Sequence, residues 1–310
     1  MELRVLQYFL AVAREQSISG AAESLHLSQP TLSRQLKDME NELGKQLFIR
    51  GNRKVTLTEE GMLLRKRAEE IITLVQKTRD EILFSDETIA GKIYIGAGET
   101  DAVRILAKTA RQIQAEHPLV HYHISSGDAV NVIEQLDKGL IDFGLLLDPV
   151  DISKYNSMKI PYQDVWGVLM RKDAPLAKKE FIVPGDLWEV PLIVSRQAVD
   201  GSALSQWLQH NTQQLHIVAT YSLIYNASLM VDEGMGYALC LDKIINVTGN
   251  SNLCFKPLHP KLEIGMSLVW KKYQVFTKAA EKFLTKLQEM IDIHAMELLH
   301  TKTENQDTLK

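Results

Sequence analysis

The segment Ser17-Ile18-Ser19-Gly20-Ala21-Ala22-Glu23-Ser24-Leu25-His26-Leu27-Ser28-Gln29-Pro30-Thr31-Leu32-Ser33-Arg34-Gln35-Leu36 decides the fold. Ser17 brings a side-chain oxygen that caps a helix start, and Ala21, Ala22 and Leu25 follow at helical spacing. His26-Leu27-Ser28 reads as a short turn. Ser28 can cap a further helix whose first turn tolerates Pro30, because that position needs no amide donor. The small residues at 21 and 22 let two helices cross closely, and Leu25, Leu32 and Leu36 fill the space between them. Gln29, Thr31, Ser33 and Arg34 are left on the outside. These types suit a major groove: Arg matches guanine with two donors, Gln pairs with adenine, and hydroxyls serve phosphates or base edges.

Working outward, residues 2–15 carry Leu3, Leu6, Phe9, Leu10 and Ala13 at helical spacing and predict a first helix. The helix that opens at Ser28 runs to about Leu43 and is stopped by Gly44. Leu47–Arg50, a turn at Gly51-Asn52, and Lys54–Leu57 predict two short strands, a wing whose tip offers Arg53 and Lys54 to the DNA backbone or minor groove. Residues 1–58 therefore read as a winged helix-turn-helix for double-stranded DNA. Its expected contact residues are Ser17, Ser28, Gln29, Pro30, Thr31, Ser33, Arg34, Lys37, Arg50, Arg53 and Lys54. A plain three-helix packing unit would explain the apolar positions. It would not explain the short second helix, tight turn, polar third helix and basic wing together.

Thr58-Glu59-Glu60 opens a long helix reaching about Phe84, within a linker over 59–88. Leu64, Ala68, Ile71, Val75 and Ile82, with Thr78 as the polar member, form a coiled-coil-like stripe suited to pairing two copies. The plainer alternative is a helix packed on its own domain. From Gly91 the pattern changes to strands and helices in alternation, as in Gly91–Gly96, Ala102–Ala115, His121–Ile124, Ala129–Lys138 and Phe143–Leu147. That alternation predicts a parallel or mixed sheet with helices on its faces, so the fold class is α/β overall. Candidate crossings near 160–165 and 265 divide 89–300 into lobe one (about 89–162 and 266–300) and lobe two (about 163–265). The polar stretch 301–310 is expected to be disordered.

Composition adds bounds. The 310 residues allow more than one core, and no apolar run approaches a membrane span. The N-terminus is apolar at helical spacing and carries acids, unlike a secretion signal, so the chain is expected in the cytoplasm. Cys240 and Cys254 make no disulfide framework and sit in apolar strand-like contexts. Net charge is −4, but residues 1–58 hold eight bases and six acids, so a mildly basic head precedes an acidic body.

Taken together, the run resembles the LysR-type transcriptional regulator family. The matching residues are Ala21-Ala22, Leu25, Leu27–Ser33, Leu36, Glu40, Leu43-Gly44, Leu47-Phe48, Arg50 and Leu57–Gly61, followed more loosely by Gly91–Gly96, His117-Pro118, Leu136–Asp142 and Gly234–Gly236. One departure is Asp242, where the family often places a proline. The resemblance implies a homodimer, or a dimer of dimers, joined through the long helix. It implies a two-lobed effector domain like that of periplasmic solute-binding proteins, taking a small-molecule effector and no cofactor. It also leaves room for RNA polymerase as a partner. Two heads on one dimer predict a partly palindromic site with half-sites one helical turn, or a multiple, apart.

In α/β sheets ligands lie beyond the carboxyl ends of strands. The loops Gly98–Asp101, Ser125–Asp128, Ser195–Gln197 and Tyr225–Ser228 fit, and by resemblance line the cleft between lobes. Thr100, Ser125 and Ser126 on lobe one, and Ser195, Arg196 and Asn226 on lobe two, are the expected effector contacts, although such residues also serve as plain helix caps. Arg196 can hold an anion, while Glu99, Asp101 and Asp128 leave the effector's charge open. Catalysis finds no support: there is no triad, Gly96-Ala97-Gly98 is too short for a dinucleotide loop, and His121 and His123 lie on a strand rather than in a metal-ligand spacing. A solute-binding protein alone would leave the head unexplained.

Overall fold

A computed structural model describes the chain except residues 52–53, 84–88, 197–202, 210–213 and 308–310; side chains at 81, 83 and 294–307 are also outside the description. The chain divides into two compact units, Met1–Leu83 and Phe84–Lys310.

The first unit contains α1 (Leu3–Glu15), α2 (Ile18–Ser24), α3 (Gln29–Leu43), β1 (Phe48–Arg50), β2 (Val55–Leu57) and α4 (Glu59–Leu83). Local chemistry sets its boundaries. The Ser17 hydroxyl accepts from the Gly20 amide at 3.2 Å and starts α2. Ser28 accepts from Thr31 at 3.4 Å and starts α3, with Pro30 in the first turn. Gly44 ends α3 in the left-handed region at φ 64°. Phe9, Leu32, Leu36, Met39, Leu47 and Phe48 share the core, and the Phe9 and Phe48 rings lie 5.1 Å apart. Full burial of such a side chain stabilises by about 1.5–3 kcal/mol.

The stripe expected on α4 splits in two. Ala68, with the half-buried Leu64 and Ile72, packs into the head's own core. Of the remaining stripe members, Val75 is half-buried and Ile71, Thr78 and Ile82 stay exposed, as does the neighbouring Leu74. A helix adjoining a small three-helix core is recruited to close it, so Leu64 and Ala68 belong to the head rather than to a free seam.

The second unit contains β3 (Gly91–Ala97), α5 (Val103–Glu116), β4 (Val120–Ser126), α6 (Ala129–Asp137), β5 (Phe143–Leu147), β6 (Tyr155–Arg171), β7 (Leu192–Ser195), α7 (Ala203–Leu208), β8 (Ile217–Tyr221), α8 (Ile224–Asp232), β9 (Tyr237–Leu241), β10 (Leu253–Pro257), β11 (Glu263–Lys271) and α9 (Lys278–Asp307). The strand order is β4-β3-β5-β11-β6-β9-β7-β8, with β10 also on β6. Pairing is parallel within β4-β3-β5 and β9-β7-β8, and antiparallel where β11 meets β5 and β6 and where β9 and β10 meet β6. The mixed sheet anticipated from the alternating pattern is present.

Strand β6 serves both lobes. Its residues Tyr155–Val165 pair with β11, and Trp166–Arg171 pair with β9 and β10. One apolar core gathers Ile93, Ile95, Leu106, Phe143, Leu268 and Phe283. Another gathers Val168, Met170, Leu187, Leu192, Leu204 and Leu239. The chain passes between them at Tyr162–Val165 and returns at Ile264–Met266, where the pairing register shifts. The backbone of α9 continues as helix through Asp307, where the polar composition of 301–310 predicted disorder. Ala279, Phe283, Leu287 and Ile291 anchor its first turns in the core, and Lys, Glu and Gln then extend a helix already nucleated.

Candidate functional site

In the first unit, Leu32, Leu36 and Met39 turn one face of α3 inward. The same periodicity leaves Gln29, Pro30, Thr31, Arg34 and Lys37 exposed and Ser33 half-buried. Ser28 and Thr31 spend part of their polarity on each other, with hydroxyls 2.7 Å apart. Ser17 is half-buried as the α2 cap. The Arg34 guanidinium lies 3.8 Å from Asp38 with a side chain 82% exposed, so it is free to leave that pair for a stronger acceptor. Arg50 and Lys54 are exposed on the wing, and Arg53 lies outside the described residues. The α3 start and the wing thus offer donors and cations with few competing partners.

Glu40, matched in the sequence but assigned no role there, fixes the wing to α3. Its Oε1 accepts from the amides of Leu47 at 2.8 Å and Phe48 at 3.2 Å, and its Oε2 lies 3.8 Å from Arg50. The Val55 amide donates to the Gln16 carbonyl at 2.9 Å and ties β2 to the α1–α2 turn. Gly61 packs against β1 so closely that a Cβ there would collide with the Leu47 carbonyl.

In the second unit a cleft of about 490 Å³ lies where the two lobes meet. Its wall is mostly apolar, with Leu145, Leu147, Trp166, Leu241, Ile244 and Ile264. Of the six expected contacts, Ser195 and Arg196 line it. The other four lie elsewhere. Thr100 is buried, and its hydroxyl donates to Asp164 and accepts from the Ala102 amide. The Ser125 hydroxyl points at the Ile95 carbonyl and Gln135. Ser126 faces a neighbouring hollow of about 390 Å³ that Thr100 also borders. Asn226 is exposed inside α8, two residues past its start. Thr100 and Ser125 are engaged by neighbouring protein groups, whereas Ser126 and Asn226 are exposed and do not line the cleft.

In the sequence Glu99 stands out only by its charge. One carboxylate oxygen accepts from the Ile224 amide, so a loop of lobe one reaches the first residue of α8 on lobe two. Burial raises the Glu99 pKa, and the Ile224 amide only partly offsets it. Beside the cleft, Asp164 is fully buried on β6, with Oδ1 unpartnered among the described residues. Burial pushes its pKa up to about 6, opposed by the Thr100 hydroxyl and reinforced by the charge of Asp242. Cys240 lines the cleft from β9, and burial pushes its thiol up to about 12. Among the described residues no helix is long and apolar enough to cross a membrane, and no cluster of His, Cys, Asp and Glu could hold a metal.

Two family descriptions match the chain. Residues 3–62 match the bacterial regulatory helix-turn-helix protein of the lysR family, and residues 86–292 match the LysR substrate binding domain. The chain is 27% identical over 297 residues to the Hca operon transcriptional activator HcaR of Escherichia coli strain K12, covering 94% of this chain and 98% of that protein. It is 29% identical over 248 residues to the transcriptional activator IlvY of Salmonella typhimurium, covering 79% and 84%. Among solved structures, CbnR, a LysR family transcriptional regulator, superposes with a TM-score of 0.73 at 18% identity, covering 94% of this chain and 99% of that one. Full-length CbnR complexed with its target DNA gives 0.69 at the same identity, covering 93% and 99%. With a DNA-reading head at one end and a ligand-binding fold over most of the remainder, the chain belongs to the LysR family, DNA-binding transcriptional regulators whose activity a small-molecule effector sets.

Proposed function

We propose that α3 reads base edges through Gln29, Thr31 and Arg34, that Ser28, Ser33 and Lys37 hold phosphates, and that Arg50 and Lys54 on the wing follow the adjacent backbone. The observation that carries this is the alternation on α3, where buried Leu32 and Leu36 aim Gln29, Thr31 and Arg34 outward together. Two copies pair through the exposed Ile71, Leu74 and Ile82 of α4, which buries apolar surface that one copy leaves in water. The pair reads a partly palindromic site from the cytoplasm, acts by binding rather than catalysis, and hands its signal to RNA polymerase.

The effector sits in the interlobe cleft against Ser195, Arg196 and Trp166. It acts by changing how the lobes close, which in turn changes the spacing or bend of DNA between paired heads. Genome-wide mapping of sites bound by the full chain supplies the test sequence, and Arg34→Ala is then compared on matched and single-base-changed sites. The expected result is a loss of about 1–3 kcal/mol confined to one base position. A uniform loss on every sequence would make Arg34 a phosphate contact and overturn its reading role.

A further inference from the structure

The cleft holds one negative and one positive charge, on Glu99 and Arg196, that no ion pair among the described residues neutralises. Three carboxylates and one guanidinium line it: Glu99, Asp128, Asp148 and Arg196. Two of the carboxylates are committed. Asp128 caps α6 by accepting from the Asn131 amide at 2.8 Å, and Asp148 pairs with Lys159 and accepts from Ser267 at 3.3 Å. Glu99 uses one oxygen on the Ile224 amide, and its Oε1 has no partner among the described residues. Arg196 has neither an ion pair nor a side-chain hydrogen bond among them. The Ile224 bond holds the Glu99 carboxylate in place across the two lobes, so its open oxygen is a preorganised acceptor.

These charges are not equal in effect. Arg196 is exposed, and water screens its pull on an anion. Glu99 is half-buried, so its repulsion of that anion is screened less. A simple carboxylate entering the cleft therefore meets a net penalty. A protonated amine on Glu99 Oε1 removes it, and a carboxylate on the same ligand then gains Arg196. The apolar wall of Leu145, Leu147, Trp166 and Ile264 takes the remaining body.

We propose that the cleft selects a zwitterionic, amino-acid-like ligand with an apolar body, its amine on Glu99 and its carboxylate on Arg196. This rests on the cleft being the effector site. Three probes that share one phenylethyl body and differ in their charged groups test it by calorimetry on the full chain at pH 7: L-phenylalanine, 2-phenylethylamine and 3-phenylpropionate. L-Phenylalanine should bind most tightly, and 2-phenylethylamine about ten-fold tighter than 3-phenylpropionate. Glu99→Gln, which keeps an acceptor for Ile224, should abolish the amine's advantage. Arg196→Met should abolish the advantage of phenylalanine over phenylethylamine. Tightest binding of 3-phenylpropionate, an unchanged order in Glu99→Gln, or no binding of any probe overturns the proposal. A thermal-shift screen of metabolites against Ser222→Trp, which fills the cleft from an exposed position, separates the two readings. A stabiliser lost in Ser222→Trp but lacking an amine overturns the charge selection alone. Stabilisers indifferent to that substitution overturn the cleft as effector site as well.

Discussion

Asp242 and Val165 exchange two hydrogen bonds between the end of β9 and the middle of β6: the Asp242 amide donates to the Val165 carbonyl at 2.9 Å, and Asp242 Oδ1 accepts from the Val165 amide at 2.9 Å. A proline, which the family often places at this position, supplies neither the donor nor the acceptor. Asp242→Pro should therefore leave both polar groups of Val165 unpaired and cost about 2–4 kcal/mol, whereas Asp242→Ala loses only the side-chain bond and about 1 kcal/mol. Thermal denaturation of the two variants checks the order. Equal melting temperatures would show that the pair adds nothing.

Asp164 makes stability depend on pH in a defined direction. Its carboxyl titrates at about 6 in the folded chain against an ordinary value of 3.8. Between those values the folded state binds the extra proton, so stability falls as pH rises through the window and the full cost is present above it. Two pH units correspond to roughly 3 kcal/mol. Asp164→Asn resembles the protonated form and still accepts from Thr100. It should melt higher than the natural protein at pH 8, by a margin that closes toward pH 4.5. A margin independent of pH would refute the buried titration.

Gly61→Ala should cost about 2–3 kcal/mol, because a Cβ there meets the backbone carbonyl of Leu47 and no side-chain rotation relieves it. Proteolysis of the head should quicken, while the second unit melts as before. Unaltered proteolysis would mean that β1 can retreat.

Removing the Glu40 carboxylate leaves the amides of Leu47 and Phe48 without acceptors. Glu40→Ala should destabilise the head by about 2–3 kcal/mol and weaken binding to every DNA sequence alike, since the wing is loosened and no base contact is lost. Glu40→Gln, retaining one acceptor oxygen, should fall between. A change in base preference would move Glu40 from scaffold to reader.

Peroxide should leave Cys240 unmodified in the native protein, because a buried thiol titrating at about 12 supplies almost no thiolate. Mass spectrometry after peroxide treatment reads this directly, and a sulfenic acid at Cys240 would contradict it.

The head was legible because its determinants are local. Ser17, Ser28 and Gly44 act within three residues of their own positions, and the Leu32–Leu36 spacing fixes which face of α3 stays wet. The cleft was less so. Thr100 looks like a free hydroxyl at a strand end, yet its acceptor, Asp164, lies 64 residues away. Glu99 looks like a surface acid, yet its partner amide lies 125 residues away. The wall residues Leu145, Trp166 and Ile264 carry the same apolar signature as the core. Only the sheet order, set by pairings distant in sequence, tells one from the other.

Strand β6 passes without interruption from one lobe's sheet to the other's. Mechanically it is a torsion bar. A bar clamped along both halves concentrates any relative movement of the lobes, as bend or twist, near Tyr162–Val165 and at the register shift beside Gly265. Its stiffness is set there by Asp164 and by the clasp of Val165 to Asp242.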